Sequence, residues 1–114
     1  MSAAIKQDAP TQQFLVLATD KPGKLELRQK VRPEHRVYLR HHGVPGARIV
    51  LAGPTLEAGE GTMNGTMLVV EADNIDTVAR LLEGDPYSRA DLFETVDIRP
   101  WVCGFGQILG EADA

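Results

Sequence analysis

The chain has 114 residues, enough for one domain and too short for two. Apolar residues make up 43% and charged residues 25%, which excludes disorder along the whole length. Twelve basic against sixteen acidic residues give a net charge of −4, without the basic excess that a nucleic-acid binder carries.

The single cysteine, Cys103, excludes an intrachain disulfide and a thiolate metal site, and suggests a reducing, cytoplasmic address. No apolar run is long enough to span a membrane. Residues 1–13 are too polar for a signal peptide and read as a flexible N-terminal tail.

Residues 14–19 (Phe-Leu-Val-Leu-Ala-Thr) form a first strand, stopped by Asp20-Lys-Pro-Gly23. Residues 24–32 show no clear helical period and form either a short helix or an extended approach; the basic stretch from Lys24 to Arg40 reads as mostly solvated, with an anion site as the alternative. A helix is expected from Pro33 to His42. Proline suits the first helical position, and Gly43 and Pro45 close the far end. Residues 47–52 form strand two, ended by Gly53-Pro54. Strand three runs from Thr66 to Glu71, after a glycine-rich connection. Asp73 or Asn74 can cap a second helix over 74–82, where Ile75, Val78, Ala79 and Leu82 keep helical spacing. A short turn or helix follows Gly84-Asp85-Pro86, and strand four covers about 93–102.

The order β-α-β-β-α-β predicts an α+β, ferredoxin-like subunit: an antiparallel sheet with its helices on one face. Strand one alternates Phe14, Val16 and Ala18 against Leu15 and Leu17. Strand three sets Met67 and Val69 against Leu68 and Val70, and strand two sets Ile49 and Leu51 against Val50. Strands apolar on both sides are buried on both sides. Two helices cover one face, so a second copy of the sheet is expected on the other, as a homodimer. Strand four alternates Thr95, Asp97 and Arg99 with Val96 and Ile98, and reads as an edge.

His35, Leu39 and His42 share a helix face, which turns His35 inward near the expected helix start. His35 is a candidate general acid or base; the plain alternative is a satisfied, partly buried histidine. His35 and His42 lie two turns apart, roughly 10 Å by helix rise, too far to share an ion, so no metal site is expected. Asp85 either caps the segment after it or partners a histidine, fixing its tautomer. Arg32 could hold a substrate carboxylate or phenolate, or make a surface ion pair. Tyr87 could offer its phenol to a substrate or simply pack in the core. Gly104-Phe105-Gly106 has no strand-turn-helix context, and no nucleotide cofactor is expected.

Several stretches together resemble the YCII-related family. They are Arg32-Pro33-Glu34-His35 with Leu39, Leu51-Ala52-Gly53-Pro54, Gly65-Thr66, Asp85-Pro86-Tyr87 and Arg99-Pro100-Trp101. The resemblance covers residues 14–103 and leaves 104–114 as a C-terminal extension. It implies a dimeric α+β barrel akin to muconolactone isomerases, with a site built on a histidine and an aspartate, here His35 and Asp85. The chain departs from the family pattern at Arg36, usually apolar, at Asp91, where glycine is common, and in the loop 55–62.

The combined expectation is an enzyme of isomerase or lyase type, working by His–Asp acid–base chemistry on a small cyclic or phenolic compound. Its site would lie in the cleft between the sheet and the first long helix. The alternatives are a dimeric module that binds a small metabolite without converting it, and a purely structural dimer.

Overall fold

The computed structural model describes residues 12–106. Most of the expected N-terminal tail and C-terminal extension therefore lies outside the described residues. The elements run β1 (Gln12–Asp20), α1 (Leu25–His41), β2 (Ala47–Leu56), β3 (Met63–Ala72), α2 (Ile75–Glu83), α3 (Pro86–Arg89) and β4 (Phe93–Trp101). The sheet is antiparallel in the order β2-β3-β1-β4. This is the ferredoxin-like arrangement. β1 begins at Gln12, two residues inside the expected tail.

The core lies between the sheet and the helices. Phe14, Val16, Leu68, Val70 and Ala72 point from the sheet onto Val78, Leu81 and Leu82 of α2. Tyr38 and Leu39 of α1 pack against the same cluster, and the Tyr38 hydroxyl donates to the Leu81 carbonyl at 2.7 Å. Asn74 caps α2, its side chain accepting from the Thr77 N–H at 3.0 Å.

The largest departure from expectation is α1. It starts eight residues before Pro33, which sits inside the helix rather than at its first position. A mid-helix proline removes one hydrogen bond, here the one to the Gln29 carbonyl. Gln29 and Pro33 are both exposed, so that carbonyl turns to water. The first two turns lack an apolar period because their inward residue is an arginine, Arg28, only 2% exposed.

β2 continues through Gly53 and Pro54 to Leu56 instead of ending there. It is an edge strand, where a proline costs no ladder hydrogen bond. A register shift between Ile49 and Leu51 puts Ile49 opposite Val70, on the core side, and Leu51 opposite Val69, on the other. The strict alternation expected for strand two is therefore broken at Val50. β3 starts at Met63, three residues early, and contains Gly65. A Cβ there would stand 2.5 Å from both the Ala18 carbonyl and the Thr55 hydroxyl, so glycine is required. Asp91 takes the left-handed conformation (φ 59°) that favours glycine, and its carboxylate pairs with Lys21.

Alternation along β1, with the register Leu15↔Val69 and Leu17↔Met67, places these four residues and Leu51 on the face away from the helices. Leu17 is 41% exposed and Leu51 37%. Arg48–Glu71 and Asp97–Arg99 pairs stand at the margins. Among the described residues no helix is long and apolar enough to cross a membrane.

Candidate active site

The site forms where one face of α1 meets the end of β1 and the start of α3. Residues 28, 32 and 35 are spaced i, i+4 and i+7, so Arg28, Arg32 and His35 share that face. His35 is two-thirds of the way along α1, not near its start as expected, because the helix begins earlier.

His35 is 6% exposed. Its Nδ1 lies 2.8 Å from Asp85 Oδ1 and 3.0 Å from Oδ2. The carboxylate can only accept, so Nδ1 carries the hydrogen and Nε2 is the lone-pair nitrogen of the neutral ring. Nε2 has no hydrogen-bond partner among the described residues. It is also absent from their buried unpartnered atoms, which comprise the Tyr87 hydroxyl alone. It therefore keeps contact with solvent.

Asp85 fulfils both alternatives read from the sequence. Its Oδ1 also accepts the Tyr87 N–H at 2.9 Å, capping α3, with Pro86 at the first helical position. Gly84 is needed just before it, since a Cβ there would fall 2.5 Å from the Tyr38 hydroxyl.

Tyr87 is fully buried. Its ring stacks on His35 with centroids 4.0 Å apart and planes at 20°, and Phe93 meets it edge-on at 5.9 Å. Burial pushes the phenol pKa up. The Arg28 and Arg32 guanidinia pull it back, and the Asp85 and Asp20 carboxylates add to the rise. Arg32 is half-buried, with no ion pair to a described residue. The surface ion pair weighed from the sequence is thus not formed with any described residue.

Arg28 and Asp20 do not stand out as site residues in the sequence, and Thr66 enters only through the Gly65-Thr66 stretch. Arg28 Nε and Nη2 donate to Asp20 at 2.7 and 2.9 Å, and Nη2 also donates to the Thr66 hydroxyl at 2.7 Å. The guanidinium carbon sits 4.5 Å from the Tyr87 ring centroid. The segment expected to be solvated thus supplies one of the most deeply buried side chains. Continuing the Arg32–His35 face one turn back would have pointed to it. Among the described residues no three His, Cys, Asp or Glu side chains are grouped to hold a metal ion.

Comparison with known proteins agrees with this fold. The YCII-related domain matches residues 12–102. The YciI proteins of Escherichia coli O6:H1 and Shigella flexneri are each 28% identical over 95 residues, 77% of this chain and 94% of theirs. Among solved structures, 5-chloro-2-hydroxyhydroquinone dehydrochlorinase from Burkholderia phenoliruptrix, in complex with 2,5-dihydroxybenzoquinone, superposes with a TM-score of 0.71. It is 34% identical, over 81% of this chain and 95% of that one. A nipsnap family protein from Agrobacterium tumefaciens, 14% identical, shares the fold (TM-score 0.52, 90% of this chain and 97% of that one). With matched residues spanning nearly the whole described fold, this chain belongs to the YCII-related domain family.

Proposed function

We propose that the chain is a small-molecule enzyme of lyase or isomerase type, moving protons on a small cyclic or phenolic compound through His35 and Asp85. The observation that carries this is the orientation of the imidazole. Asp85 holds Nδ1–H from the buried side while Nε2 is left to face a substrate. Such a ring accepts a proton at Nε2, and the carboxylate stabilises the imidazolium that results. Positioned acid–base catalysis of this kind is worth roughly 10²–10⁴-fold.

Arg32, on the same helix face as His35, would hold an anionic oxygen of the substrate. The unpartnered Tyr87 hydroxyl is buried, so it would meet a substrate acceptor only after the wall around it opens. The similar Burkholderia protein is named for loss of HCl from a chlorinated hydroxyhydroquinone and is seen with a dihydroxybenzoquinone. That chemistry suits a lone acid–base pair. A proton passes to the base, the halide departs with its bonding electrons, and no oxidant is consumed.

The same reading includes a homodimer. Leu15, Leu17, Leu51 and Met67 make an apolar centre around the buried Val69 on the sheet face that the helices leave open. A second sheet packed there would close the barrel and remove a patch that a monomer would expose. The single cysteine fits a cytoplasmic address.

The test is turnover of halogenated di- and trihydroxybenzenes, followed by halide release and quinone absorbance. Wild type should convert at least one, and His35→Ala should lose at least a hundredfold in kcat. Binding of these compounds without conversion would replace this reading with that of a binding module.

A further inference from the structure

We propose that Arg28 is a positioning residue that clamps Tyr87 against His35, so that the imidazole plane is set from β1 and β3 through an aromatic ring. The inference rests on the acid–base reading of His35. It begins with Tyr87. Its hydroxyl has no partner, so no hydrogen bond from its side chain fixes the ring. The ring is located by its contacts alone. One is His35, stacked at 4.0 Å; another is the Arg28 guanidinium, 4.5 Å from the same centroid. Two flat groups cannot both lie that close over one face, so the ring stands between them.

The helix supplies the spacing. Residues 28 and 35 are two turns apart on α1, about 10 Å along its axis, which leaves room for one ring between their side chains. Tyr87 enters that gap from α3, where Asp85 holds both its backbone N–H and the Nδ1 edge of the imidazole. Arg28 cannot drift, because three hydrogen bonds tie it to Asp20 at the end of β1 and Thr66 on β3. A planar fork bonds Asp20 along one edge and keeps its central carbon 4.5 Å from the tyrosine ring centroid at the same time. A lysine, with a single compact ammonium, cannot do both.

The assay reads the stack itself. A ring stacked at this distance shields the His35 ring protons, so the wild type should show them shifted upfield by NMR. In Arg28→Lys that shift should be lost. In Thr66→Val, which keeps Arg28 and removes one of its acceptors, it should be reduced; this variant serves as well if Arg28→Lys does not fold. Lys30→Met, an exposed site on the same helix, should leave it intact. On a substrate that the wild type converts, Arg28→Lys should lower kcat at least tenfold with KM little changed, since small misplacements of a reacting group cost that much.

A wild-type His35 shift in folded Arg28→Lys or in Thr66→Val would overturn the clamp while leaving the acid–base reading intact. Loss of the shift in the Arg28 variant, with no substrate turned over by wild type, would sustain the clamp and remove the enzymatic reading.

Discussion

Asp85 serves two masters, and substitution separates them. Asp85→Ala removes the α3 cap and strips the buried His35 Nδ1–H of its acceptor. A lost cap costs about 1 kcal/mol, and a buried donor left without a partner about 1–3 kcal/mol. The alanine variant should therefore lose roughly 2–4 kcal/mol. With a urea slope of about 2 kcal/mol/M, its midpoint should fall by roughly 1–2 M. Asp85→Asn caps as well as aspartate and keeps one oxygen able to accept from Nδ1–H. Only the charge is lost, worth about 1 kcal/mol in hydrogen-bond strength. Its midpoint should therefore stay close to wild type while activity falls at least a hundredfold, because no carboxylate remains to stabilise the imidazolium. Urea melts at one fixed protein concentration, paired with turnover, provide the measurement. If the asparagine variant is as unstable as the alanine, or retains full activity, the division between cap and partner is wrong.

Three further outcomes are expected. Tyr87→Phe keeps the stacking on His35 and removes the unpartnered buried hydroxyl, so stability should hold or rise by about 1 kcal/mol; kcat/KM should drop about tenfold if that hydroxyl meets the substrate, and a clear loss of stability would show that it has a partner. Leu17→Lys places a charge in the apolar centre of the open sheet face and should turn a dimer into a monomer by sedimentation at micromolar concentration; a wild type that sediments as a monomer removes the barrel. Burial holds the His42 pKa below its ordinary range, and its Nδ1 accepts from the Val44 N–H at 2.8 Å, which requires an unprotonated nitrogen. The unfolded chain therefore binds this proton more readily, so stability should decline as pH drops below about 6.5. His42→Ala should flatten that slope in urea melts between pH 7 and 5.5, and an unchanged slope would assign it to other groups.

The order of elements, the two apolar sides of β1 and β3, and the inward turn of His35 are legible along the chain. Each follows from local rules, since a two-residue alternation or a helical spacing is written in neighbouring positions. The sequence also offers both roles of Asp85, without showing that one carboxylate can hold them together. Features that depend on residues far apart in the chain emerge only in the folded molecule. Helical spacing is sought as a stripe of apolar residues, so the first turns of α1, whose buried position is Arg28, read as solvated. Arg28 can be buried only because Asp20 and Thr66, 8 and 38 residues away, satisfy it. β2 runs through Gly53-Pro54 because it lies at an edge, and strand order is a property of the whole sheet. The stacking of His35, Tyr87 and Arg28 has the same origin: the contacts that set the site join α1 to α3 and to the ends of two strands, and no local pattern records a distance between them.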